Sequence, residues 1–206
     1  ALDIIENDIV YVYRMCLKEV KSPARWLETK SVFIPKPGKA DYCDPGNLRP
    51  ICLSPFFSKG FERIIYWYIS DKHLKNDSLY SYKESIATDD AIHSLVTKVE
   101  KALEKSEVAI VLFMDMSAAF STANVSGLMK NLEKTGVNNN ILKWTSDMLS
   151  NRTISATLNG IMVKKKSLRG CPQGGLLSGP ALWNGDMRDL IKQIPESTQY
   201  RQGNFC

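Results

Sequence analysis

The sequence predicts an α+β fold. Three observations carry it: apolar residues recur at helical spacing in several separate segments, two strand pairs are marked by turn residues, and one continuous apolar run of strand length occupies residues 108–114. The chain has 206 residues, 44% of them hydrophobic and 24% charged, with 12 Gly and 9 Pro. That balance excludes a disordered chain, a collagen-like repeat and a disulfide scaffold, and the length suffices to bury a core.

Taken in order, Leu2, Ile5, Ile9, Val12, Cys16 and Val20 fall at three- and four-residue steps and predict an amphipathic helix ending before Pro23. Ser31, Val32, Phe33 and Ile34 predict a short strand that runs into Pro35, Pro37 and Gly38. More turn residues, Asp44, Pro45, Gly46 and Asn47, lead to a return strand at Leu48, Arg49, Pro50 and Ile51. A second helix follows Pro55 with Phe57, Phe61, Ile64, Ile65 and Tyr68 on one face. A third is capped by Thr88 with Asp89 and Asp90, and its face is Ile92, Leu95, Val96, Val99 and Leu103. Both faces are expected in the core.

The run at 108–114 predicts a strand buried on both faces that stops at Asp115. Residues 124–135 and 141–149 predict two helices separated at Gly136, which tolerates the left-handed conformation that ends a helix. Segments 153–158 and 161–167 flank Asn159-Gly160, a two-residue hairpin signal. Residues 170–175 read as a loop, and 180–194 as a final helix with Pro180 in its first turn.

With 27 Lys+Arg against 22 Asp+Glu the net charge is +5, a mild bias toward polyanionic partners. The five cysteines, Cys16, Cys43, Cys52, Cys171 and Cys206, contain no CxxC pair and accompany only two histidines, which argues against structural zinc. No apolar stretch approaches the roughly 18 residues of a membrane span, and no basic-then-apolar leader opens the chain. A soluble, reducing, intracellular setting without a membrane partner is therefore expected. The first residue is Ala, which fits a fragment.

Asp115 is the sharpest candidate for chemistry. A carboxylate closing an apolar strand must face a cavity, bind a cation or cap a helix, and Mg²⁺ sites for phosphoryl chemistry use one or two such carboxylates. Phe120 fits either a core aromatic or a pocket wall. Lys36, Lys39 and Arg49 lie on the strand–loop–strand, either solvated or placed to close over phosphates. The glycine loop with Gln173 does not match the GxxxxGK[ST] phosphate loop. Lys164, Lys165, Lys166 and Arg169 form the densest basic run, either an exposed hairpin edge or a track for a nucleic-acid backbone.

The order of these features is specific. Ile34-Pro35-Lys36-Pro37-Gly38-Lys39, Leu48-Arg49-Pro50-Ile51, Phe113-Met114-Asp115 with Ala119-Phe120, and Arg169-Gly170-Cys171-Pro172-Gln173-Gly174-Gly175 follow one another along the chain, with Leu182-Trp183-Asn184 after them. In this the sequence resembles the reverse transcriptase domain of non-LTR retrotransposons. The resemblance implies a right-hand polymerase, with an N-terminal helix and fingers at 1–105 and an incomplete palm at 106–206, without a thumb. It implies Mg²⁺ held by Asp115 and the Met116 backbone carbonyl. Lys36, Arg49, Phe120 and Gln173 would bind the dNTP, Phe120 acting as a steric gate against ribonucleotides. Gly174, Gly175 and Lys83 would contact an RNA template and a DNA primer, and the basic run at Lys164, Lys165, Lys166 and Arg169 would add a nucleic-acid patch. The other domains of a parent polyprotein, and residence in cytoplasm and nucleus, are implied as well.

The match departs from the family pattern in several places. Gln202-Gly203 is followed by Asn204-Phe205-Cys206, where the family continues into an aromatic-Ala-Asp-Asp hairpin. The turn at Lys83-Glu84-Ser85-Ile86-Ala87-Thr88 lacks one Gly and one Arg of the family pattern, Ser121 replaces an Asp, and Ser178-Gly179-Pro180 replaces Ser-Pro. A lone carboxylate leaves two divalent ions and a triphosphate short of protein negative charge, so the chain by itself is expected to be inactive. Two other readings stand beside this one: a non-catalytic protein that binds RNA or single-stranded nucleic acid, and a pseudogene product without function. Mg²⁺-dependent primer extension on an RNA template, run with the 206-residue chain and with Asp115→Ala, is expected to give no product from either. Extension that depends on Asp115 would overturn the expectation of inactivity.

Overall fold

The computed structural model describes residues 2–73, 80–81, 85–113, 115, 119–158, 160–175, 177 and 182. Six helices and four strands are seen among them: α1 (Leu2–Glu19), β1 (Glu28–Pro35), β2 (Leu48–Leu53), α2 (Phe56–His73), α3 (Thr88–Glu104), α4 (Ala119–Thr122), α5 (Val125–Glu133), α6 (Asn139–Ser150), β3 (Thr153–Leu158) and β4 (Ile161–Lys166). The strands form one mixed sheet in the order β2-β1-β3-β4. β1 pairs antiparallel with β2, and β3 with β4, as two hairpins. Between the hairpins β1 and β3 run parallel, Glu28 opposite Thr153 and Ser31 opposite Ala156. A parallel pair needs a long crossover. Here the intervening helices supply it, and this brings residues over 120 positions apart into register.

The core lies among the helices rather than on a wide apolar sheet face. Thr29 and Ser31 are the buried residues of β1, and their surroundings are polar: the Thr29 hydroxyl donates to the Thr153 carbonyl and the Ser155 hydroxyl to the Thr29 carbonyl, both at 3.3 Å. Phe61 and Trp144 meet edge to face at 4.7 Å, while Tyr13 stacks on Phe61 at 4.6 Å. Ile65, Ile69, Leu128, Leu132, Ile141, Met148 and Leu149 close around this aromatic column. Helix α1 packs by Tyr13, Cys16 and Leu17, so Ile5 and Val12, expected on its inner face, are exposed. The Tyr13 ring takes the inner position because its hydroxyl also donates to the Phe57 carbonyl at 2.9 Å.

Asn124 and Asn138 cap α5 and α6, their side-chain oxygens accepting the Ser126 and Asn140 N–H groups at 3.0 and 2.9 Å. Gly136, at φ +80°, makes the turn between the two helices as its sequence position predicts. Gly160, at φ +79°, belongs to the turn between β3 and β4. Its partner Asn159 and the helix expected at 180–194 fall outside the described residues, except that Leu182 is helical and buried. Among the described residues no helix is long and apolar enough to cross a membrane.

Several expectations are corrected. On α2, Phe57 and Ile64, expected in the core, are exposed, while Ser58 and Glu62 are buried beside Phe61 and Ile65. Residues 107–113 form no strand, and Ile110 and Phe113 are 91% and 81% exposed. A strand exists through its ladder hydrogen bonds, and no strand among the described residues pairs with this run. Helix α3 forms where predicted, yet it buries none of its residues, and Ile92, Val96 and Leu103 face outward. Its cap is also displaced by one position: Ala87 is the N-cap, and the Asp90 carboxylate reaches back to accept the Ala87 N–H at 2.7 Å. Amphipathic periodicity makes a helix able to bury a face, but a packed neighbour must be present to bury it.

Trp144 is fully buried, and among the described residues its indole N–H has no hydrogen-bond partner. Trp144→Ala is expected to cost about 3–5 kcal/mol, as for other large-to-small aromatic truncations. Trp144→Phe should cost less than half as much, since no hydrogen bond is lost with the indole. Urea unfolding of both variants checks the order.

Candidate functional site

Three segments distant in sequence meet at the glycine loop, residues 170–175. The first is α4. The Phe120 carbonyl accepts the Cys171 N–H at 2.7 Å, and the Ala123 carbonyl accepts the Gly170 N–H at 2.9 Å. Gly170 sits at φ +76°, and a Cβ on it would lie 2.6 Å from the Ser121 carbonyl oxygen and 2.7 Å from that of Phe120. Glycine is required here twice over, by backbone hand and by space.

The second segment is β2. The Cys52 N–H donates to the Gln173 carbonyl at 2.7 Å, and Gly174, at φ +105°, brings its Cα face close to the Cys52 carbonyl and the Ile51 side chain. Arg49 is three residues back along the same strand, opposite Ile34 and exposed. The loop carrying Gln173 is thus fixed to the strand carrying Arg49. Gln173 is half-buried, Gly174 exposed and Gly175 buried, with the Gly175 N–H closing the turn on the Pro172 carbonyl at 3.1 Å. Phe120 is half-buried against the core.

The third segment is Arg152, between α6 and β3. Its guanidinium is buried, with 2% of the residue exposed, and it donates from Nη2 to the Gly170 carbonyl at 2.6 Å and from Nε to the Leu149 carbonyl at 3.2 Å. Burial pulls its pKa below the ordinary arginine value, and the neighbouring Cys52, Cys171 and Glu62 oppose that shift. Burial likewise pushes the Cys52 thiol up, against the charge of Arg152. Glu62, 1% exposed, accepts the Leu177 N–H at Oε2 at 3.4 Å.

Neither Arg152 nor Glu62 stood out in the sequence. Arg152 follows a polar pair, Ser150-Asn151, and looks like a surface residue. Glu62 had a readable signal, since Ser58, Phe61, Glu62, Ile65 and Ile69 form one buried stripe of α2 and Glu62 is its only charge.

The other predicted residues are distributed around this centre. Lys36 is tied into its own loop: its ammonium donates to the Gly46 carbonyl at 2.7 Å, and its N–H to the Asn47 carbonyl at 2.9 Å. The loop is further braced by Tyr42 donating to the Lys36 carbonyl and by Asp44 accepting the Gly46 N–H. These bonds close the loop on itself, and Lys39 stands exposed on it. Asp115 is exposed and makes no hydrogen bond or ion pair among the described residues. Met116 and Lys83 fall outside the described residues.

The basic run does not form one patch. Side chains alternate along a strand, so Lys164 and Lys166 share the face of β4 opposite to that of Lys165. Lys164 reaches across β3 to pair with Glu28 at 2.8 Å, both partners at least half exposed. Lys165, Lys166 and Arg169 are exposed.

Gly136 and Gly170 separate backbone hand from crowding. A Cβ at Gly136 meets nothing, whereas one at Gly170 overlaps two carbonyls. Gly136→Ala is expected to cost about 1 kcal/mol and Gly170→Ala about 2 kcal/mol or more. Equal losses in chemical denaturation would show that the α4 contact does not constrain the loop.

The sequence model for reverse transcriptase (RNA-dependent DNA polymerase) matches residues 34–205. Among curated proteins the chain is similar to the Pol polyprotein of the type-1 retrotransposable element R1 of Bradysia coprophila, 29% identical over 182 residues, covering 87% of this chain and 18% of that protein. It is similar to the probable RNA-directed DNA polymerase from transposon BS of Drosophila melanogaster, 26% identical over 188 residues, and to the R2 polyprotein of Nasonia vitripennis, 23% identical over 207 residues; these alignments cover 88% and 98% of this chain and 20% of each relative. The chain therefore spans about a fifth of the length of the curated relatives it matches. The solved apo telomerase of Candida tropicalis aligns at 15% identity over 84% of this chain and 40% of its own, with a TM-score of 0.48. The chain belongs to the reverse transcriptase family, alongside the polymerases of non-LTR retrotransposons.

Proposed function

We propose that this chain forms the fingers and part of the palm of an RNA-directed DNA polymerase that extends a DNA primer with dNTPs on an RNA template during retrotransposition. In this reading residues 1–105 are the N-terminal helix and fingers, and 106–206 belong to the palm. The observation that carries it is the convergence on the glycine loop. Phe120 and the strand of Arg49, which the family resemblance assigns to the nucleotide, are joined by backbone hydrogen bonds to the loop of Gln173. A dNTP lying across this junction would have its triphosphate toward Arg49 and Lys36, its sugar against the Phe120 ring and its base end toward Gln173. A 2′-hydroxyl would then meet the ring, which is the basis for choosing deoxynucleotides. Template and primer would pass over Gly174 and Gly175, where no side chain obstructs a backbone, with Lys83 and the exposed Lys165, Lys166 and Arg169 attracting phosphates.

The family uses a divalent metal, and Mg²⁺ is the ion proposed. Among the described residues no three His, Cys, Asp or Glu side chains come together to hold one. Asp115 supplies one exposed carboxylate, which would hold the ion together with substrate phosphates. What this chain's residues contribute is binding and orientation of the nucleotide, worth much of a polymerase's rate when the reacting atoms are held in line.

The test is RNA-templated primer extension by an active relative in which residues 34–205 of this chain replace the matching segment. Extension with dNTPs is expected, with Asp115→Ala lowering the rate by about 10²–10³-fold and Phe120→Ala raising ribonucleotide incorporation relative to deoxyribonucleotide. Extension that survives Asp115→Ala would sink the proposal.

A further inference from the structure

We infer that Arg152 and Glu62 are positioning residues: two buried, oppositely charged side chains that hold the two ends of the glycine loop and so set where Gln173 and Phe120 face a nucleotide. The inference deepens the nucleotide-binding reading above and rests on it for the ligand.

The geometry is a clamp. Arg152 holds the loop at its start through the Gly170 carbonyl at 2.6 Å, and Glu62 holds the chain just beyond its end through the Leu177 N–H at 3.4 Å. The middle is pinned to β2 by the 2.7 Å bond from Cys52 to the Gln173 carbonyl. The same guanidinium takes the Leu149 carbonyl in the last turn of α6, an acceptor that the helix leaves without a partner of its own. One planar fork therefore ties the end of a core helix to the loop. Phe120 follows because its carbonyl accepts the next N–H of the loop, that of Cys171.

Packing volume alone does not explain these charges. An apolar side chain of similar volume would avoid the desolvation penalty of an ion but would leave the Gly170 and Leu149 carbonyls without this donor. What the guanidinium supplies is direction, several donors in a fixed plane that stay charged when buried. A lysine has one point of attachment and loses its charge more readily in the same place. Glu62 helps keep Arg152 charged, so the two ends of the clamp support each other.

Amide hydrogen exchange on the 206-residue chain tests the clamp without relying on catalysis. In Arg152→Met the Gly170, Cys171 and Cys52 amides are expected to exchange at least tenfold faster than in the wild type, while those of α5 and α6 stay within twofold. Arg152→Lys should restore part of the protection. Glu62→Gln should accelerate Leu177 more than Gly170. Titration with dGTP and GTP supplies the positional readout: wild type should prefer dGTP, and Arg152→Lys should narrow that preference at least fivefold while the α5 and α6 amides remain protected. Unchanged exchange at Gly170 and Cys171 in Arg152→Met, or equal acceleration throughout α5 and α6, would overturn the clamp. If Arg152→Met does not fold, Arg152→Lys and Glu62→Gln decide it by the same local-against-global comparison. A wild-type chain that binds neither nucleotide would refute the nucleotide reading, and the exchange pattern would still decide the clamp.

Discussion

The hydrogen bond from the Arg152 guanidinium to the Gly170 carbonyl, 2.6 Å long and shielded from water, is the contact on which the arrangement of the site depends. In a buried setting such a bond is electrostatically strong, and leaving either partner unmatched costs the full desolvation of that group. The loop therefore has little freedom at Gly170. From there two short backbone bonds reach α4, a third reaches β2, and a half-buried aromatic and a half-buried amide acquire fixed positions.

This constraint is anchored in the packed framework beneath it. Arg152 follows directly on α6, whose Trp144 lies in the aromatic column with Phe61 of α2 and Tyr13 of α1. Glu62 is the residue after Phe61, so the other end of the clamp rises from the same column. The sheet adds the second support: the parallel pairing of β1 with β3 sets the β1–β2 hairpin beside the segment that begins at Arg152. The Thr29 hydroxyl of β1 and the Ser155 hydroxyl of β3 each donate to a carbonyl across that pairing, which satisfies polar groups where the sheet has no large apolar layer.

Away from this centre the chain carries apolar surface that the described residues leave uncovered. The run at 107–113 and the outer side of α3 are the largest departures from the sequence reading, and they share a cause. Each was assigned to the core on composition or periodicity, which report that a segment is able to bury a face and not which neighbour will bury it. Where the neighbour is local, as for α5 and α6 across the Gly136 turn, the helices expected at 124–135 and 141–149 form and bury Leu128, Leu132, Ile141, Trp144, Met148 and Leu149.

The sequence by itself determined the local structure with a strictly local physical basis: the glycine turns at Gly136 and Gly160, the two hairpins, and the segments that become α2, α5 and α6, though not which face of α2 is buried. It also determined the family, through an ordered series of short motifs. The tertiary structure alone decided that Gly170 is held against Phe120 and Ser121, that Lys36 closes its own loop, and that the basic run is split between two faces of β4. It alone brought Arg152 and Glu62 inside. A charged residue carries the same letter whether it is solvated or buried, and only the packing around α6 and α2 removes these two from water and gives them the loop to hold.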